Sequence, residues 1–126
     1  MKLIKYYENI PFIEYPKWWS EFEVQAALWS KLKAEGLDVR GCVKSRTIDF
    51  GKRPRVYFDL VVFSAHRTPI VIIECKNRKQ RIRRLGSRQQ RRYSAFDIPL
   101  LVCANQDDID PVAQEVMQLV CEFEQA

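Results

Sequence analysis

Between residues 20 and 36 the apolar positions Val24, Leu28 and Leu32 recur every fourth residue, a spacing that lays side chains along one stripe of an α-helix. Ser20 and Glu23 form a capping-box pair, and Trp19 and Val24 are placed for a hydrophobic staple around it. A helix is therefore predicted from Glu21 up to a stop at Gly36. Three extended segments follow, roughly 37–46, 55–63 and 69–76, rich in β-branched and aromatic residues. Gly51 and Pro54 part the first two, and Ser64 to Pro69 make the turn between the second and third. Ser87 and Gln90 repeat the capping-box pattern and open a helix that runs to about Phe96. Ile98 to Cys103 reads as a largely buried strand. Asp110 then caps a last helix, with Pro111 at its first position and Val112, Val116, Leu119, Val120 and Phe123 along its apolar stripe. Residues 1–19 are rich in aromatics without clean periodicity, which suggests an irregular arm packed on the domain or on a second subunit.

The order helix, three strands, helix, strand, helix predicts an α/β sandwich around a mixed sheet. At 126 residues, with no repeat or linker, the chain is expected to be one domain spanning 1–126. Hydrophobic residues make up 47% and charged residues 29%, which excludes a disordered or membrane-spanning class. The apolar runs Leu60 to Phe63 and Ile70 to Ile73 fall far short of the roughly 20 residues of a membrane crossing. Residues 1–7 lack the apolar core of a signal peptide, so an intracellular protein is expected. The cysteines at 42, 75, 103 and 121 are widely spaced and lack companion histidines, the pattern of buried free thiols rather than a zinc site.

The net charge of +5 is concentrated in one place. Lys76, Arg78, Lys79, Arg81, Arg83, Arg84, Arg88, Arg91 and Arg92 follow one another with no acid before Asp97. Nine cations without balancing acids repel one another, and a phosphate backbone relieves that repulsion. Asp38, Asp49 and Asp97 read as turn or cap residues, and His66 as an exposed turn residue.

Asp59 is the only acid between Val56 and Phe63, and Glu74 and Lys76 lie two apart at the end of the next apolar strand, on one face. On the second strand Tyr57, Asp59, Val61 and Phe63 are expected to share a face. If Phe63 pairs with Ile70 across the turn, Asp59 stands opposite Glu74, with Cβ atoms about 5 Å apart. Two carboxylates that close call for a cation between them or a shared proton. Hard oxygen ligands suit Mg²⁺ or Mn²⁺, which polarise a phosphodiester and acidify a bound water. Lys76 is placed to orient or deprotonate that water and to stabilise the developing charge.

Phe58-Asp59, fourteen intervening residues and Glu74-Cys75-Lys76 resemble the Pro-Asp…(Asp/Glu)-x-Lys motif of the PD-(D/E)XK nucleases, among them restriction enzymes, Holliday junction resolvases and repair exonucleases. Phe58 stands where that motif has proline. The resemblance runs from about Ser20 to Asn105 and implies a restriction-endonuclease-like α-βββ-α-β core, with a mixed central sheet flanked by helices. It further implies a glutamate from the first helix in the metal site. Glu21 is preferred over Glu23, because capping already occupies Glu23 while Glu21 is in phase with Val24 and Leu28. It also implies metal ligation by Asp59, Glu74 and the Cys75 backbone carbonyl, and accessory roles for Gln89 and Tyr93, four apart on their helix.

The expected function is therefore Mg²⁺-dependent (or Mn²⁺-dependent) DNA endonuclease. Asp59, Glu74, Lys76 and Glu21 form its centre, and Arg78, Lys79, Arg81, Arg83, Arg84, Arg88, Arg91 and Arg92 hold the DNA backbone. Cutting both strands of a duplex with one site per chain favours a homodimer. Two alternatives share the fold: a non-catalytic nucleic-acid-binding module and a junction-resolving nuclease.

Overall fold

The computed structural model describes residues 19–44, 57–76 and 97–126. The N-terminal arm up to residue 18, the Gly51–Pro54 break and the helix opening at Ser87 lie outside these residues. Helix α1 spans Glu21–Ala34 and begins with the anticipated box: the Ser20 hydroxyl accepts from Glu23 N at 3.2 Å, and Ser20 N donates to the Glu23 carboxylate at 3.1 Å. Its end is a Schellman motif. Gly36 takes φ +82°, its N–H donates to Lys33 O, and Leu37 N donates to Leu32 O. Glycine is needed at Gly36 because a Cβ disfavours positive φ.

Strands β1 (Asp38–Lys44), β2 (Tyr57–Phe63), β3 (Pro69–Cys75) and β4 (Leu100–Cys103) form one sheet in the order β1-β2-β3-β4. The first two junctions are antiparallel and β3–β4 is parallel, giving a mixed sheet. Leu60 pairs with Ile73, Val61 with Ile72 and Val62 with Val71, the register anticipated from the turn. Phe63 pairs with Pro69 instead of Ile70, because a bulge at Val62/Phe63 takes up one residue beside the turn. Helix α2 spans Ile109–Gln125 and is preceded by a single 3₁₀ turn, Gln106–Asp108. It thus starts before Asp110, the expected cap. The Asn105 side chain accepts from Asp107 N at 2.7 Å and the Asp108 carboxylate from Ala104 N at 2.9 Å, so these polar groups set the entry. Pro111 still falls in the first turn, where its missing N–H costs nothing.

Both described helices lie on one face of the sheet. Val24, Leu28 and Leu32 of α1 and Ile109, Val112, Ala113, Val116 and Val120 of α2 pack with Val39, Leu60, Val62, Ile73 and Cys75. Phe123 stays largely exposed, so the apolar stripe of α2 ends at Val120. On the opposite face Val43, Phe58, Val61 and Ile72 form a second cluster. No helix among the described residues is long and apolar enough to cross a membrane. Of the cysteines, Cys75 and Cys103 are buried as expected, whereas Cys42 and Cys121 are exposed; all four are free thiols. Cys42 sits on the outer strand and Cys121 on the solvent side of α2.

Leu28 is fully buried between α1 and the sheet. Leu28→Ala is expected to lower unfolding stability by about 2–5 kcal/mol in a urea titration. The buried thiols give a pH signature. Burial, and secondarily the charge of Asp108, pushes Cys103 up to about 12. An unfolded thiol ionises near 8.5, so above that pH the unfolded chain releases a proton that the folded chain keeps. The stability contributed by Cys103 is complete below about pH 8.5 and declines as pH rises towards 12. Cys103→Ala should flatten that alkaline slope, measured as unfolding free energy between about pH 8 and about pH 11.

Candidate active site

The β1–β2 ladder is interrupted at one step. Gly41 pairs with Leu60 and Val43 with Phe58, but Cys42 and Asp59, opposite one another in that register, do not pair. Cys42 has φ +51°, a left-handed conformation costly for a residue with a Cβ. The strands change face here. Val39 and Leu60 belong to the helix-side core, while Val43 and Phe58 belong to the opposite cluster. Phe58 therefore shares a cluster with Val61, and Tyr57 is exposed. The expectation that Tyr57, Asp59, Val61 and Phe63 line one face is corrected: strict alternation stops at Asp59.

Asp59 is consequently held from two directions. Its backbone oxygen, at the step where the β1–β2 pairing is interrupted, accepts from Gln25 Nε2 of α1 at 3.0 Å. Its carboxylate Oδ2 accepts from the Cys75 backbone N–H at 2.7 Å, a short charge-assisted bond. The carboxylate thus reaches across to the β3 backbone. It does not simply oppose the Glu74 side chain, as alternation alone would have it.

The β2–β3 ladder ends at Leu60–Ile73, one step short of Asp59 and Glu74. Glu74 is 6% exposed, at the end of a strand buried from Ile70 to Cys75. Its Oε1 lies 3.7 Å from Lys76 Nζ, in a pair whose lysine side chain is 23% exposed. Lys76 N donates to Cys103 O at 2.9 Å, so the parallel β3–β4 pairing continues up to the lysine. The carboxyl ends of parallel strands are where open α/β sheets gather ligands. Also at this end is Asn105, which follows β4 and is almost fully buried; its Nδ2 has no hydrogen-bond partner among the described residues.

Glu21 opens α1, half-buried and one turn ahead of Gln25. Glu23 is exposed, and its carboxylate is engaged by Ser20. The Cys75 thiol registers the local field. Burial raises it most, followed by the charges of Cys103, Asp59, Glu74 and Glu21. Asp59, Glu74 and Glu21 thus all lie near the Cys75 thiol, but no three His, Cys, Asp or Glu side chains among the described residues form a group that could hold a metal ion. Gln89, Tyr93 and the basic residues from Arg78 to Arg92 lie outside the described residues. Gln25 escaped the sequence reading; its signal was the four-residue spacing from Glu21, which puts both on one helix face.

No curated protein and no solved structure shows significant similarity to the chain. The profile of the family described as the Type I restriction enzyme R protein N terminus matches residues 32–120, a stretch that runs from the end of α1 into α2 and includes Asp59, Glu74 and Lys76. The chain belongs to this family of Type I restriction enzyme R protein N termini.

Proposed function

We propose that the chain is a metal-dependent DNA endonuclease of the PD-(D/E)XK type, with Asp59, Glu74 and Lys76 at its centre. The observation that carries this reading is the Asp59 carboxylate bonded to the β3 backbone at Cys75, between buried Glu74 and its ion-pair partner Lys76, at the carboxyl end of β3. Family membership supports DNA as the substrate. So does the cleft along β1, where Arg40, Lys44 and Arg67 outnumber Asp38.

The donor set suits a hard divalent cation. Mg²⁺ is commonly held by one or two carboxylates while keeping waters and substrate phosphate oxygens, so two carboxylates suffice without a third protein ligand. Asp59 and Glu74 would hold Mg²⁺ or Mn²⁺ together with the Cys75 carbonyl, and Glu21 would take part from α1. When bound, that ion would polarise the phosphodiester and lower the pKa of a water. The remaining work falls to the chain. The Cys75 N–H fixes the direction of the Asp59 carboxylate. Lys76, kept near Glu74 at 3.7 Å, presents an ammonium to orient the attacking water and to meet negative charge on the phosphorane. The basic residues from Arg78 to Arg92 would grip the backbone, and two copies would be needed to cut both strands of a duplex.

A second reading is a binding module of the same fold without cleavage, favoured by the Cys75 N–H already engaging the Asp59 carboxylate at 2.7 Å. The two separate on supercoiled plasmid, linear duplex and a four-way junction, each incubated with Mg²⁺, Mn²⁺ or EDTA. Metal-dependent scission lost in Asp59→Asn supports the nuclease; salt-sensitive binding without scission on any substrate overturns it in favour of the module. Lys76→Ala is expected to slow single-turnover cleavage by roughly 10²- to 10⁴-fold while leaving DNA affinity nearly unchanged in a filter-binding titration. Cleavage at the wild-type rate would remove the lysine from the reaction.

A further inference from the structure

We infer that Gln25 is a positioning residue, whose amide pins the Asp59 backbone from helix α1 and thereby sets where the Asp59 carboxylate lies against β3. This inference rests on the nuclease reading for its functional consequence, but its structural content stands apart from it.

Cys42 and Asp59 do not pair where the β1–β2 ladder would bring them together. A backbone carbonyl in a half-buried setting needs a donor. At Asp59 that donor is a side chain on a different element, Gln25 Nε2 at 3.0 Å. The helix carrying it is itself anchored, since Val24 and Leu28 on either side of Gln25 are fully buried in the core. The other end of Asp59 is held by Cys75 N–H at 2.7 Å. With the backbone oxygen fixed from α1 and a carboxylate oxygen fixed from β3, little rotation remains for the residue between.

Gly41 makes room for the clamp. A Cβ built on Gly41 would lie 3.7 Å from both Asp59 O and Gln25 Nε2, the two atoms of the bond, and 4.0 Å from Leu60 Cδ2. A methyl would fit there, but a branched side chain would press on the bond. Glu21 lies one helical turn from Gln25, so the helix that brings a third acid towards the site also fixes the position of Asp59. A simple ladder-filling role would need none of this coupling to the carboxylate, and this difference can be measured.

The experiment uses the full chain and Gln25→Met, which keeps the length of the side chain and removes its donor. Three readouts are taken: amide hydrogen exchange, Mn²⁺ binding by calorimetry, and single-turnover cleavage resolved into kcat and KM. The Cys75 amide, bonded to the Asp59 carboxylate, should exchange about tenfold faster, while the Ile72 and Lys76 amides, bonded to Pro99 O and Cys103 O, keep their protection. Mn²⁺ affinity and kcat should each fall by roughly 10- to 100-fold with KM for DNA unchanged. Wild-type protection at Cys75 overturns the inference whatever the activity. Faster exchange at Cys75 in a protein whose wild type neither binds Mn²⁺ nor cleaves DNA upholds the clamp and sinks the nuclease reading instead. Should Gln25→Met fail to fold, Gly41→Val keeps Gln25 and α1 intact while pressing on the bond. It should show the same selective loss at Cys75, and unchanged protection there would again overturn the inference.

Discussion

Strand β3 is enclosed from Ile70 to Cys75, with α1 and α2 on one face and the Phe58 cluster on the other, and that enclosure governs where charge can sit. Within such a strand an ionised group must be paired or hydrogen-bonded, or lie at the end where solvent reaches. Glu74 and Lys76 occupy that end. Isolating Glu74 in the interior would cost several kcal/mol; with Lys76 at 3.7 Å and solvent at the lysine, the charge is tolerated while its low-dielectric surroundings strengthen its field. The same burial that supplies the core thus concentrates the polar chemistry at one point of the sheet.

The second organising feature is the missed step between Cys42 and Asp59. Left-handed backbone at Cys42, the change of face on both strands, the exposed Tyr57 and the recruitment of Gln25 all follow from that one irregularity. Strain of this kind is usually over-determined by its surroundings. Here Leu60 and Phe58 on either side of Asp59 are fully buried in opposite clusters, which fixes the twist between them.

Much of this was legible in the sequence because it is local. The capping box Ser20/Glu23, the Gly36 stop, the three strands and the β2–β3 register from Leu60 to Val62 all follow from spacing and turn chemistry. What spacing could not reveal were departures from strict period two. The bulge at Val62/Phe63 and the break at Asp59 leave no mark in an apolar run such as Leu60 to Phe63, where both faces are buried and residue types do not alternate. The start of α2 was misplaced because its entry is set by Asn105 and Asp108, whose side chains accept from Asp107 N and Ala104 N, and not by Asp110. The spacing from Glu21 puts Gln25 on the same helix face, but its partner, a backbone oxygen on a distant strand, leaves no mark in the sequence.

Cys75 occupies the middle position of the Glu-x-Lys triplet, and its setting bears on how the chain withstands oxidants. Peroxides and disulfides attack the thiolate, so a cysteine's vulnerability follows its ionised fraction and its accessibility. Cys75 is nearly inaccessible, and burial together with the surrounding acids opposes its ionisation. A sulfur atom at the heart of the constellation is thereby kept chemically quiet under oxidative stress. The exposed Cys42 and Cys121 are left as the sites where oxidation would register first.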